Sequence, residues 1–186
     1  LFPLALIYWG VVYWRNLFYK YNFFISRRLL CNIISVGNIT VGGTGKTPTV
    51  IYLANYLKGN GKKVAILSRG YGRSRSGMVL VSNGSEIKTT WQDVGDEPYL
   101  INKNFPEVDI IINHKRAEAI QWAEKLQKKY DVILLDDGYQ HRSVFRNLNI
   151  LLINSRQNHD YLLPKGDLRE PMSSIGRADC IVFTKG

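Results

Sequence analysis

The sequence contains few cysteines and no uncharged run long enough to cross a bilayer. Only two of the 186 residues are cysteine, and Cys31 and Cys180 lie far apart in apolar, strand-like runs. This spacing argues against a disulfide framework and predicts buried free thiols in a reducing compartment. The uncharged stretch at the N-terminus ends at Trp14. A membrane-spanning helix needs roughly 20 apolar residues, so a crossing at the N-terminus is not expected.

Acidic residues are also scarce. The chain has 15 Asp and Glu against 25 Lys and Arg, which gives a formal net charge of +10. Such an excess predicts an anionic partner, which could be nucleic acid, nucleotide phosphate or an acidic membrane surface. There is no recognition-helix pattern, zinc-ligand spacing or RNP-like aromatic strand, which argues against a nucleic-acid-binding module. We therefore expect no nucleic-acid partner.

Residues 1–28 are rich in aromatic side chains and poor in charge. No charged residue precedes Arg15, and Phe, Tyr and Trp recur throughout the segment. Such rings gather at headgroup depth in membranes, so we predict a helix that lies on the membrane surface. The alternative is a helix that packs in the core or forms an oligomer. A secretory signal fits poorly, because no basic region precedes the apolar stretch and no small-residue cleavage site follows it.

From residue 29 onward, apolar runs of strand length alternate with helix-like segments and Gly-rich corners. This alternation predicts one α/β domain over 29–186, with a mostly parallel sheet flanked by helices and a small β-hairpin excursion at 78–90. Because both ends of the chain look cut, we also expect further residues to cover the last strand. The predicted strands span 32–36, 63–67, 108–112, 132–135, 148–153 and 180–183, and the predicted helices span about 48–58, 97–102 and 115–129.

A strand, a glycine-rich loop and a helix follow one another over residues 33–58, the order found in a phosphate-binding loop. Glycines let backbone NH groups turn toward an anion, Lys46 can reach the β- and γ-phosphates of ATP, and the Thr47 hydroxyl can ligate Mg²⁺. Thr40 occupies the first Gly position of GxxxxGK[ST]. Val41 replaces the first Lys of the GKGGxGKT variant in partition-type ATPases, which argues against that class. The predicted ATP-binding residues here are Gly42, Gly43, Thr44, Gly45, Lys46 and Thr47.

Two carboxylates end a predicted strand. Asp136 and Asp137 follow the apolar run at 132–135, as the acids of a Walker B element do. Mg²⁺ keeps several waters and binds through one or two carboxylates, so Thr47, Asp136 and Asp137 are the predicted metal ligands. The alternative is that Asp-Asp-Gly forms only a turn.

Several separated segments of the chain form one combination of motifs. They are SVGN at 35–38, GGTGKTP at 42–48, LSRGYGR at 67–73, VGDEP at 94–98, LDDGYQHR at 135–142, LP at 163–164 and LREP at 168–171. Together they resemble one family, the tetraacyldisaccharide 4'-kinases of lipid A biosynthesis in Gram-negative bacteria. The resemblance implies a P-loop NTPase-like fold and transfer of the ATP γ-phosphate to the 4'-hydroxyl of a tetraacylated disaccharide 1-phosphate. It also implies a peripheral enzyme on the cytoplasmic face of the inner membrane.

The resemblance implies roles for single residues as well. Asp96 would be the catalytic base, Lys46 and Asp137 would act with it, and Gln140 and Glu170 would line the ATP site. A carboxylate near a sugar hydroxyl can accept its proton during phosphoryl transfer. The alternative for Asp96, in a Gly-Asp-Glu-Pro corner, is a helix N-cap.

The basic residues and histidines give weaker signals. In the family the Asp acts with a histidine from the C-terminal portion, which we expect to lie beyond this chain. His141 is expected near the site, and His114 and His159 at the surface. A further cluster follows a predicted strand and is expected to hold a phosphorylated substrate, unless it is only a solvated basic loop. That cluster consists of Arg69, Arg73 and Arg75.

Overall fold

Seven strands and five α-helices follow one another in the computed structural model, which describes residues 2–73, 77–81, 90–125, 130–155 and 161–184. The helices are α1 (Phe2–Lys20), α2 (Lys46–Gly59), α3 (Trp91–Val94), α4 (Asp96–Asn104) and α5 (Arg116–Lys125), with a 3-10 helix at Met172–Arg177. The strands are β1 (Asn32–Asn38), β2 (Val64–Ser68), β3 (Val79–Leu80), β4 (Asp109–Ile112), β5 (Val132–Asp136), β6 (Leu148–Asn154) and β7 (Cys180–Thr184).

The strands form one sheet in the order β3-β4-β2-β5-β1-β6-β7. Every pairing is parallel except that of β3 with β4. The central strands β2, β4 and β5 are buried along their whole length, as β-branched, continuously apolar strands in a parallel sheet should be. The predicted mostly parallel, P-loop NTPase-like α/β fold is confirmed.

Helices cover both faces of the sheet. On one face Val50 and Ala54 of α2 and Ile101 of α4 pack against the strands. On the other face the inward stripe of α5 contributes Ala119, Ile120 and Ala123. Helix α5 therefore buries one side against the sheet over its described part. Its continuation over 126–129 lies outside the described residues.

The region of the expected hairpin is only partly described, and the cysteines are less buried than expected. β3 pairs with β4, whereas the second arm of the expected hairpin falls mostly within 82–89, outside the described residues. Both cysteines are free, but the prediction that they are buried is wrong: Cys31 is half-buried and Cys180 is exposed. Cys180 begins β7, which has only β6 beside it among the described strands. An apolar strand sequence does not reveal whether the strand stands at an edge.

Helix α1 lies on the domain through one narrow stripe. Ala5, Tyr8, Val12 and Arg15 are at least half-buried and follow one another at helical spacing, whereas the residues between them are mostly exposed. Over the described residues, no helix has both the length and the apolar character that a bilayer crossing requires.

Candidate active site

The sheet register brings the glycine loop and the paired aspartates together. β1 lies between β5 and β6, and Val36 of β1 is paired with Asp136 at the end of β5. The chain segments that leave these neighbouring parallel strands therefore emerge at the same carboxyl edge, where open α/β sheets bind ligands. The Nζ atom of Lys46 lies 3.8 Å from Oδ1 of Asp137. The start of α2 and the turn after β5 therefore meet at this edge of the sheet.

The glycine loop ends at the start of α2. Gly45 caps the helix with a left-handed φ of 77°, and no side chain caps its first turn. The loop is held at the end of β1, because Asn38 donates a hydrogen bond from Nδ2 to Oγ1 of Thr44 at 2.8 Å. Lys46, the first helical residue, is buried, and Thr47 follows it. A helix N-terminus of this form presents backbone NH groups to an anion.

Each of the two aspartates has one carboxylate oxygen that accepts no hydrogen bond from the described residues, although Oδ1 of Asp137 lies opposite Lys46. Asp136 is 1% exposed, and Asp137 has a left-handed φ of 49°. Oδ1 of each residue is buried without a hydrogen-bond partner among the described residues. Burial raises the pKa of Asp136 to about 7, and the nearby charges of Glu97 and Asp137 add to the effect. Buried carboxylate oxygens without a donor fit a hard cation such as Mg²⁺, which takes one or two carboxylates.

Arg116, which the sequence analysis missed, supports this turn. It is the first residue of α5 and only 3% exposed. Its guanidinium donates hydrogen bonds to the carbonyl oxygens of Asp136 at 2.5 Å and Asp137 at 2.9 Å. A signal was present in the sequence: Arg116 stands one helical turn before Ile120 and so on the inward stripe.

Two glycines place Asp96 in the same region. Gly95 has a φ of 94°, and a Cβ there would lie 2.8 Å from the carbonyl oxygen of Tyr71 and 3.2 Å from Cα of Gly70. The loop after β2 therefore contacts the corner before α4 backbone to backbone. Asp96 is the first residue of α4, whose N-cap is Gly95. The N-cap alternative for Asp96 is wrong, because Gly95 occupies the cap position.

A cavity of about 810 Å³ joins these parts. Its walls include the predicted residues Lys46, Asp96, Asp136, Asp137, Gln140 and His141. Gln140 also donates from Nε2 to the carbonyl oxygen of Asn38 at 2.7 Å, which ties it to the base of the glycine loop. Burial, together with nearby arginines, lowers the pKa of His141 to about 4, so its ring is neutral at pH 7.

Only some of the predicted basic residues and histidines line the cavity. Arg69 lines the cavity, whereas Arg73 donates a hydrogen bond to the carbonyl oxygen of Gly77 at 2.5 Å, within its own loop. His114 is exposed, as predicted, but also lines the cavity. Arg75 and His159 lie outside the described residues.

Glu170 is not among the residues that line the cavity, although its contact Arg15 and its neighbour Arg169 are. It is 0% exposed, and its two carboxylate oxygens pair with Arg15 of α1 and Arg177 of the 3-10 helix. Arg177 and Arg142 also donate to Oδ1 of Asn16 at 3.3 and 3.2 Å. These contacts hold α1 on the domain. The role in ATP binding that the resemblance implies for Glu170 stays a prediction.

Helix α1 also supplies part of the cavity wall through Tyr8 and Arg15. The Tyr8 hydroxyl donates a hydrogen bond to the carbonyl oxygen of Arg169 at 2.8 Å. The Arg169 guanidinium in turn contacts Oδ2 of Asp137 at 2.8 Å. The aromatic N-terminal helix is therefore part of the site as well as an exposed surface.

A mostly parallel sheet with a glycine loop, a Lys-Thr pair at a helix start and two acids at the end of the neighbouring strand defines a nucleotide-binding protein of the P-loop class. A family model described as LpxK, tetraacyldisaccharide-1-P 4'-kinase, matches residues 1–186. The chain belongs to this family.

Individual relatives agree with this assignment. The chain is 44% identical over 185 residues to the tetraacyldisaccharide 4'-kinase of Aquifex aeolicus, covering 99% of this chain and 58% of that protein. It is 43% identical over 187 residues to the enzyme of the same name from Porphyromonas gingivalis, covering 98% of this chain and 51% of that protein. The chain thus spans little more than half the length of these relatives.

A solved structure matches the fold closely. The crystal structure of the "apo" form of LpxK from Aquifex aeolicus in complex with ATP superposes with a TM-score of 0.92 at 43% identity. The match covers 98% of this chain and 57% of that one.

Proposed function

We propose that this protein is an ATP- and Mg²⁺-dependent kinase that phosphorylates the 4'-hydroxyl of a tetraacyldisaccharide 1-phosphate in lipid A biosynthesis. The observation that carries the proposal is that Lys46, the Asp136–Asp137 pair and Asp96 line one cavity. A triphosphate site and a carboxylate free to act as a base are the two parts that phosphoryl transfer to a hydroxyl needs. The family membership and the ATP bound to the Aquifex aeolicus relative support the same function.

Each part of the site has a role in this reaction. Backbone NH groups of residues 42–47 bind the phosphates, and Lys46 neutralises charge on the β- and γ-phosphates. Thr47, Asp136 and Asp137 would hold Mg²⁺, which when bound neutralises charge on the phosphate oxygens.

Asp96 accepts the proton of the acceptor hydroxyl. As that proton leaves, the hydroxyl oxygen forms a bond to the γ-phosphorus, the bond from the γ-phosphorus to the bridging oxygen breaks, and ADP departs. Asp96 is exposed within the cavity and stands next to the loop that carries Arg69. Arg69 is placed to contact the anionic acceptor from the same wall.

The acceptor carries acyl chains, so the enzyme must work at a lipid surface. We assign this contact to the outward side of α1, where Leu4, Ile7, Val11 and Trp14 are each more than half exposed. The net charge of +10 favours an anionic leaflet, and the expected location is the cytoplasmic face of the inner membrane.

Asp96→Asn in the full-length protein tests the proposal. Wild-type protein, [γ-³²P]ATP and tetraacyldisaccharide 1-phosphate should yield a labelled lipid, and the variant should lose about 100-fold or more of this activity while it still binds ATP. Glu107→Gln, an exposed acid at the other end of the sheet, serves as the control and should label lipid at the wild-type rate.

Two results would count against the proposal. Undiminished labelling by Asp96→Asn would remove Asp96 as the base. ATP hydrolysis that needs dimerisation and leaves the lipid unlabelled would favour the competing class, a partition-type or metal-carrier ATPase that switches with its nucleotide.

A further inference from the structure

We propose that Tyr8 of α1 is a positioning residue for the nucleotide site: its hydroxyl holds Arg169, and the Arg169 guanidinium holds the Asp137 carboxylate beside Lys46. The inference rests on the proposed function for its assay. It assigns the aromatic helix a task at the metal and phosphate end of the cavity, in addition to its contact with lipid.

The main chain of Arg169 makes hydrogen bonds through both its carbonyl oxygen and its NH group. Its carbonyl oxygen accepts the hydrogen bond from the Tyr8 hydroxyl at 2.8 Å. Its backbone NH donates to the carbonyl oxygen of Ile39, just before the glycine loop, at 2.7 Å. Arg169 is thus anchored between α1 and the segment that leads into the phosphate-binding loop. Removing the Tyr8 hydroxyl releases one of these two anchors.

The side chain of Arg169 links its anchored main chain to the carboxylate of Asp137. Its guanidinium contacts Oδ2 of Asp137 at 2.8 Å, and Oδ1 of the same carboxylate faces Nζ of Lys46 at 3.8 Å. Asp137 has a left-handed backbone, which is uncommon for non-glycine residues, although Asp tolerates it better than most. Arg116 holds the carbonyl oxygen of Asp137, and Arg169 holds its carboxylate. The orientation of a would-be metal ligand therefore depends on Arg169.

Helix α1 is held on the domain largely by polar contacts, one of which is the hydrogen bond from Tyr8 to Arg169. Val12 is the only buried apolar side chain along α1, so apolar packing alone fixes the helix weakly. Polar contacts to two consecutive residues add to it: Tyr8 contacts the main chain of Arg169, and Arg15 pairs with the carboxylate of Glu170. Burial raises the pKa of Tyr8, so its hydroxyl keeps the proton that it donates.

The test uses Tyr8→Phe in the full-length protein, since phenylalanine keeps the ring and removes only the hydroxyl. We expect the Mg²⁺ concentration for half-maximal lipid phosphorylation to rise about 3- to 10-fold, the range that corresponds to loss of one hydrogen bond. Binding to phosphatidylglycerol vesicles, measured by flotation, should stay unchanged. Mg²⁺·ATP affinity should fall by a similar factor in calorimetry without any lipid acceptor.

Tyr130→Phe is the matched control. The Tyr130 hydroxyl donates to Oδ2 of Asp109 at 2.7 Å, at the amino edge of the sheet and away from the cavity. This variant should lose thermal stability, as any loss of such a bond does, while its Mg²⁺ requirement remains that of the wild type. An equal rise in the Mg²⁺ requirement for both variants would reduce the Tyr8 effect to general destabilisation and overturn the proposal.

A double-mutant cycle tests the route through Arg169. In an Arg169→Gln background the guanidinium that contacts Asp137 is gone, so adding Tyr8→Phe should change the Mg²⁺ requirement no further. An unchanged requirement in the single variant, or an equal further change in the Arg169→Gln background, would refute the proposal.

The calorimetric arm separates this inference from the proposed function. If the wild type binds Mg²⁺·ATP but labels no lipid, the proposed function fails and the Tyr8 effect on nucleotide affinity still decides the inference. If the wild type does not bind Mg²⁺·ATP at all, both fail.

Discussion

Glu170→Gln should destabilise the protein strongly, because Glu170 is the acid that neutralises two arginines at the base of α1. The carboxylate is 0% exposed, whereas the side chains of Arg15 and Arg177 are 33% and 21% exposed. Removing one member of a buried ion cluster typically costs 3–5 kcal/mol, since the remaining charges stay without a partner. Both arginines keep some contact with water, so we expect the lower end of that range, about 3 kcal/mol.

Urea unfolding followed by circular dichroism measures this cost. With a slope of about 2 kcal/mol per molar urea, the midpoint should fall by about 1.5 M. Glu118→Gln removes the acid of an exposed pair with Lys115, in which both side chains are more than half exposed. This control should change the free energy of unfolding by less than about 0.5 kcal/mol.

The reasoning is refuted if the two glutamine variants unfold at the same urea concentration. A Glu170→Gln protein of wild-type stability that has lost ATP affinity would instead support the nucleotide-binding role that the family resemblance implies. Because the two explanations predict opposite patterns of stability and affinity, both quantities should be measured on the same preparation.

Two further predictions concern stability. A Cβ on Gly37 would lie 2.8 Å from the backbone nitrogen of Tyr139, whereas one on Gly59 would meet nothing within 4 Å; calorimetry should therefore show Gly37→Ala destabilised by about 2 kcal/mol or more and Gly59→Ala unaffected or slightly stabilised. The pKa of His141 is about 4 in the folded protein and about 6.5 when unfolded, so between these values the unfolded state binds more protons. Lowering the pH from 6.5 to 4 should thus reduce the free energy of unfolding of the wild type by about 1–3 kcal/mol more than that of His141→Gln. If urea titrations show the same pH dependence of this free energy for both proteins, the lowered pKa of His141 is contradicted.

The sequence predicts those parts of the site that depend on the order of neighbouring residues along the chain or on the position where a strand ends. Lys46 and Thr47 close a glycine loop between a strand and a helix, and Asp136 and Asp137 end the strand beside it. Carboxyl ends of neighbouring parallel strands must meet at one edge, so the sequence places these side chains together. The position of Asp96 came from the family resemblance, since its corner by itself was equally compatible with a cap.

The missed features depend on contacts between distant parts of the chain. Tyr8 reaches Arg169 across 161 residues, and Arg15 reaches Glu170 across 155. Nothing in the aromatic pattern of α1 indicates which of its sides will face the domain, because most of its positions are apolar. The exposure of Cys180 was missed for a similar reason, since edge and interior strands can share one apolar sequence.

The narrow inward stripe of α1 has a practical consequence for preparing the protein. Deleting the helix would remove its exposed apolar side chains but also part of the cavity wall, because Tyr8 and Arg15 would be lost with it. Leu6 and Trp14, both 56% exposed, lie on the side of the helix away from that stripe. Polar replacements at those two positions offer a route to a detergent-free preparation in which the nucleotide pocket stays intact.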